Sequence, residues 1–165
     1  MTINIRRTSG FTVVGAVLAL TISSGIALIL ASTFYPILSS SFERYQINQA
    51  VAATFVALEN HYGFERLSSG CMTASGNVPL AKLIADQGLD SKLVLNRPWV
   101  IRAQLVSVNG IPTNNVVSVA FPSKRYLSLG LNPSVIRGLT VEFWREVPYR
   151  DVSWDSFDKG SKCYK

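Results

Sequence analysis

The side chains that most often do chemistry are sparse in this sequence. His61 is the only histidine, and it sits between Asn60 and Tyr62 rather than near a cysteine or carboxylate cluster, so a surface or edge position is expected for it. The two cysteines, Cys71 and Cys163, have no second cysteine or histidine at the spacing a zinc site needs. Asp151, Asp155 and Asp158 crowd into "YRDVSWDSFDKGSK", but steps of four and three do not match the alternate-residue ligand order of a calcium loop. A solvated acidic loop is the expected reading. No nucleophile elbow, phosphate-cradling glycine loop or HExxH pair is present, so no catalytic, cofactor or metal residue is assigned and no enzyme is expected. Trp99, Trp144 and Trp154 are expected as core or edge packing, with a binding platform as the alternative.

What must position any function is a composition split along the chain. The 165 residues are 48% hydrophobic, and the excess lies in the first forty. From Phe11 to Leu38 there is no Asp, Glu, Lys, Arg, His, Asn or Gln. As a helix rising about 1.5 Å per residue, this run exceeds a bilayer core of roughly 30 Å. Arg6 and Arg7 in front of it place the N-terminus on the cytoplasmic side and the rest of the chain outside the inner membrane. A cleaved secretory signal has a shorter apolar core and turns polar after its small-residue site. Here Thr33, Phe34, Tyr35, Ile37 and Leu38 follow Ala31, which argues for an anchor that stays.

Pro36 removes one backbone donor and crowds the carbonyl four residues earlier, so a kink is expected there rather than a stop. Beyond it Ile47, Val51, Phe55, Leu58 and Tyr62 recur at steps of four, four, three and four, the stripe of an amphipathic helix. The expectation is one helix from about Phe11 to Tyr62, ended by Gly63, with its second half packed on a globular head.

Residues 64–95 read as a connecting region with a short helix in "LAKLIADQGL", ended at about Gly88. Strand-like runs follow: "WVIRAQLVSV", "VVSVAF" after a loop at "NGIPTNN", "KRYLSLGL", and the cleanly alternating "LTVEFWREV". The fold class expected is α+β: a long kinked N-terminal helix, membrane-spanning in its first half and amphipathic in its second, packed on an antiparallel head of about four strands. The chain carries a net charge of +6, two of it from Arg6 and Arg7. Arg97, Arg102, Lys124, Arg125 and Arg137 are spread over several elements, so a solvated basic surface is expected, with a DNA-binding face as the alternative.

The junction "RRTSGFTVVGAVLAL", a basic leader, a glycine, then Phe-Thr and an unbroken apolar helix, resembles the class III signal of type IV pilins and of the pseudopilins of type II secretion. The resemblance covers roughly residues 6–62, together with a late cysteine near the C-terminus. It implies residues 1–10 as a cytoplasmic leader, 11–38 as a transmembrane and filament-core helix, 39–63 as its amphipathic continuation and 64–165 as an extracytoplasmic head. It also implies cleavage between Gly10 and Phe11 by a prepilin peptidase and N-methylation of Phe11. The partners implied are the inner membrane, an assembly platform within it and other pilin or pseudopilin subunits. The function implied is a structural filament subunit, against the alternatives of a membrane-anchored binding domain and a plain single-span periplasmic protein.

One residue departs from the family's pattern, which has glutamate at the fifth mature position where this chain has Gly15. An acid in the bilayer is costly and is kept there by pairing with the freed amine of a neighbouring subunit. Gly15 offers no such pair, which points to a minor subunit that primes or caps assembly. Gly15, Ala16, Ala19 and Gly25 also allow close helix packing, and the two readings are compatible. With the head outside the cytoplasm, Cys71 and Cys163 are expected as a disulfide rather than as two free thiols, holding the tail "DKGSKCYK" to the start of the head.

Overall fold

The computed structural model describes residues 9–72, 76–147, 157–158 and 160–164, with the backbone alone at 9–12, 157 and 164. The first element, α1, is a single helix of 61 residues, Ser9–Ser69, that runs through Pro36 without a break. The chain divides into two compact units, Met1–Phe42 and Glu43–Lys165.

In the second unit α1 supplies one wall of the core. Ile47, Val51, Phe55, Leu58 and Tyr62, the stripe expected from spacing, are all buried, together with Ala50, Thr54, Ala57 and His61 between them. At about 1.5–3 kcal/mol for each large aliphatic or aromatic side chain removed from water, the stripe is a dominant source of the head's stability. It packs with Ile101, Ala103, Leu105, Val117, Val119 and Val141 of a five-stranded antiparallel sheet. The outer face of the same helix keeps Tyr45, Val56, Phe64 and Leu67 exposed.

The remaining elements are β1 (Asn77–Val78), α2 (Leu80–Gln87), α3 (Ser91–Val94), β2 (Val100–Val108), β3 (Ile111–Ala120), a 3-10 helix (Lys124–Leu129), β4 (Val135–Arg137), β5 (Thr140–Glu146), β6 (Phe157–Asp158) and β7 (Cys163–Tyr164). The sheet order is β1-β2-β3-β5-β4, and β6 and β7 form a separate two-stranded ribbon. As expected from "LAKLIADQGL", α2 ends at Gly88, whose φ of 67° is the left-handed conformation that glycine tolerates.

The structure corrects four expectations. The helix does not end at Gly63. A glycine inside a helix costs about 1 kcal/mol relative to alanine, and the next turn offsets it. His61 Nε2 and Lys82 Nζ each lie 3.2 Å from Glu65 Oε1. The hydroxyls of Ser68 and Ser69 donate to the Glu65 carbonyl at 3.0 and 2.7 Å. The end comes at Gly70, φ 67°, whose N–H donates to the Arg66 carbonyl at 2.9 Å.

"KRYLSLGL" is a 3-10 helix and not a strand. Tyr126 is buried and stacks on Phe121 with ring centroids 5.2 Å apart. Leu129, one 3-10 turn later, packs on the core. "NGIPTNN" is mostly strand: Asn109 and Gly110, with φ of 53° and 76°, make a two-residue turn, and β3 begins at Ile111. Pro112 lies beside a register shift between Val106 and Ser107, where a missing N–H is tolerated. His61, expected at the surface or an edge, is 2% exposed because it falls on the packed face two turns beyond Thr54.

Truncating the stripe tests this packing directly. In urea titrations of the full chain in detergent, Leu58→Ala is expected to lose about 2–5 kcal/mol of head stability. Val56→Ala, on the exposed face of the same helix, is expected to change it by less than about 0.5 kcal/mol. Similar losses for both would contradict the assignment of faces.

Candidate functional site

Two features carry functional chemistry, and each lies within one compact unit. The first is the apolar half of α1. Every residue from 13 to 42 is exposed except half-buried Gly25 and Ser40, and Leu20, Leu28 and Ile29 are 69%, 71% and 67% exposed. The helix from Val13 is long and apolar enough to cross a membrane, and its apolar window buries nothing within the chain. This is compatible with a single-pass membrane anchor.

Polar side chains within that run are prepared for an apolar surrounding. The hydroxyl of Thr21 donates to the Leu18 carbonyl at 2.9 Å, Ser23 to Leu20 at 3.1 Å and Ser24 to Thr21 at 3.0 Å. Ser32 and Thr33 both donate to Ile29, at 2.9 and 2.8 Å, Ser39 to Pro36 at 3.0 Å and Ser40 to Ile37 at 2.9 Å. An unsatisfied donor in hydrocarbon costs several kcal/mol, and back-bonding to the previous turn removes that cost. Gly10 and Phe11 lie in the helical backbone of α1. At Gly15 a Cβ would meet nothing within 4 Å, so the helix itself has room there for a larger side chain.

The second feature is a groove of about 320 Å³ in the head, between the second half of α1 and the β4–β5 edge of the sheet. Val51, Phe55 and Phe143 give it an apolar floor, and Arg44, Asn48, Asn132, Ser134, Trp144 and Arg145 give it a polar rim. Arg145 is held in place from two sides: its guanidinium lies 4.5 Å from the Phe55 ring centroid, and Nη1 donates to Glu59 Oε1 at 3.2 Å. The sequence gives no hint of this groove, because Arg44 and Arg145 are about a hundred residues apart and no spacing rule joins them.

The other candidates fall into structural roles. Cys71 and Cys163 are joined by a disulfide across 92 residues, in an isolated antiparallel bridge. The tail is tied at two further points: Met72 N–H donates to the Lys162 carbonyl at 2.8 Å, and Lys162 Nζ donates to the Asn109 carbonyl. Asp158 accepts from Gly160 N–H at 2.9 Å and from the Ser161 hydroxyl at 3.0 Å. The Gly160 bond, then the Ser161 bond, lowers its pKa below the ordinary aspartate value. Asp151, Asp155 and Trp154 lie outside the described residues. Trp99 is buried in the core, while Trp144 is 40% exposed at the groove.

The basic residues are largely committed as well. Arg97 donates to Gln46 Oε1 at 3.2 Å and to the Lys92 carbonyl at 2.9 Å. Arg125 pairs with Glu43, and Arg137 lies 3.3 Å from Glu142. Among the described residues no group of three or more histidine, cysteine or acidic side chains is placed to hold a metal. Comparison with protein-family models, curated proteins and solved structures finds no match.

The staple and the tail turn generate two expectations. Replacing both Cys71 and Cys163 by serine is expected to cost about 4 to 5 kcal/mol, the loop-closure value for a loop of this length. Urea titration measures it, and equal midpoints for the variant and the oxidised wild type would contradict it. The Asp158 contacts, with a folded pKa below the unfolded one, are complete above about pH 3.9 and are lost as pH falls through the lowered value. The protection factor of the Gly160 amide is therefore expected to fall in the wild type as acid protonates Asp158, and to be already low, and insensitive to this titration, in Asp158→Ala.

Proposed function

We propose that this chain is a minor subunit of a type IV pilus or of the related type II secretion pseudopilus. The observation that carries the reading is the exposed, uncharged half of α1, whose serine and threonine hydroxyls from Thr21 to Ser40 are satisfied internally and which continues as one helix into the core of a folded head. Such a helix serves twice. In the bacterial inner membrane it anchors the head outside the cytoplasm, and in a filament it is buried among the like helices of other subunits. The junction at Gly10 and Phe11 supports the same reading, through its resemblance to the site where a prepilin peptidase cuts and methylates.

Gly15 directs the choice toward a minor subunit. Without a carboxylate at that position the chain has no group to neutralise the freed amine of a neighbouring subunit within the bilayer. A place at the tip or at initiation makes the smaller demand, since only one side of the subunit needs a stacked partner. A second reading, a membrane-tethered binding domain, is favoured by the groove in the head and is compatible with a tip position.

Processing is checked by intact-mass analysis of the chain purified from its native host. The expected species lacks residues 1–10 and carries one methyl group on Phe11. A chain beginning at Met1, or cut elsewhere, removes the filament reading and leaves the tethered domain. Because a side chain at Gly15 meets nothing within 4 Å, Gly15→Glu is expected to fold normally and to change the abundance or position of the subunit in isolated filaments. Unchanged incorporation by quantitative immunoblot would count against the tip assignment.

A further inference from the structure

Among the described residues, the C-terminal end of β5 leaves a sheet edge open beside the groove. Val147 N–H donates to the Thr113 carbonyl at 3.0 Å and Phe121 N–H to the Leu139 carbonyl at 2.9 Å, which fixes the phase of the β3–β5 ladder. Odd-numbered residues of β5 therefore bond to β3, and Glu142, Trp144 and Glu146 turn their backbone groups to the opposite edge. There β4 covers only part of the strand, its last pair being Val135 with Glu142. The next residue back closes one more step: Ser134 N–H donates to the Glu142 carbonyl at 2.8 Å, and Ser134 Oγ accepts from Trp144 N–H at 3.1 Å. Beyond that, the Trp144 carbonyl and the backbone N–H and carbonyl of Glu146 have no hydrogen-bond partner among the described residues.

Both charged side chains that line the groove next to this edge are cationic. Arg44 and Arg145 stand on its rim, and no carboxylate is among its lining residues. Arg145 is partly neutralised by Glu59, whereas Arg44 makes no ion pair with a described residue. Arg44 is set against the Gly130 turn, where a Cβ would meet its Nη1 at 3.4 Å.

We propose that this edge and groove bind an extended acidic peptide, which adds as a short strand along Trp144–Glu146 and places its carboxylates against Arg44 and Arg145. Strand addition supplies what the open backbone groups lack, and alternate side chains of the added strand project over the Val51, Phe55 and Phe143 floor. A phosphate-rich ligand would satisfy the arginines but offers no N–H donors to the Trp144 and Glu146 carbonyls. The proposal rests on the head alone and does not depend on the filament reading.

Fluorescence anisotropy of the full chain in detergent micelles tests it, with a labelled octapeptide of alternating aspartate and threonine as the probe. Saturable binding is expected, weakened about tenfold or more by Arg44→Glu. It should be abolished in a peptide N-methylated at every residue, which keeps the charge but loses the donors of both strand edges. The wild-type chain with the methylated peptide needs no folded variant, so the test survives a misfolded Arg44→Glu. Absence of binding, equal binding of the methylated peptide, or equal binding of a peptide with lysine for aspartate would each overturn the proposal. So would a dimer of the chain that is dissociated by Arg44→Glu and indifferent to the peptide, since it would assign the edge to a second copy.

Discussion

Keeping the first half of α1 away from water is the constraint on which the rest depends. Val13, Val17, Leu20, Leu28, Ile29 and Leu38 are all exposed on the isolated chain, and each costs about 1.5–3 kcal/mol in water relative to an apolar surrounding. Over this length of helix the sum exceeds the net stability of an ordinary small domain, about 5–15 kcal/mol. The helix must therefore be covered, by lipid or by protein. In the filament reading it is covered first by one and then by the other, and the absence of charge between Phe11 and Leu38 makes the exchange nearly balanced. Packing between helices of small and aliphatic residues then decides its direction.

The same helix changes character without changing secondary structure. From Val13 to Phe42 its side chains are exposed on every face, Ser40 alone being half-buried, and from Ile47 a stripe is buried against the sheet. The head therefore grips its own anchor through the core. A force on the helix reaches the sheet through Ile47, Phe55 and Leu58, and the C-terminal tail is tied back by the Cys71–Cys163 bridge next to the helix end. The disulfide acts where burial is least able to help, on a two-stranded ribbon that would be marginal alone.

Where one period dominates, the sequence was readable. Ile47, Val51, Phe55, Leu58 and Tyr62 announce their face because a helix repeats every 3.6 residues, and "LAKLIADQGL" announces its end because Gly88 can turn left-handed. "WVIRAQLVSV" and "LTVEFWREV" became β2 and β5, central and paired. What was not readable is decided by contacts between distant segments. Lys82 meets Glu65 and helps carry α1 past Gly63, and Phe121 stacks on Tyr126 and favours a 3-10 turn over a strand. The short β4 owes its place to a tight turn at Gly138 and Leu139, with φ of 63° at the glycine. The groove is the extreme case, since its walls come from α1, the segment before β4, and β5.

Because the account turns on what surrounds the apolar half of α1, the most direct measurement is photocrosslinking from a benzophenone side chain placed at Ile29, which is 67% exposed on the isolated chain. In membranes the expected adducts are lipids. In filaments or pseudopili recovered from the same cells, the expected adducts are peptides from the apolar helices of other subunits. Lipid adducts alone in both fractions, or a probe quenched by water in either, would contradict the claim that this helix exchanges one apolar surrounding for another.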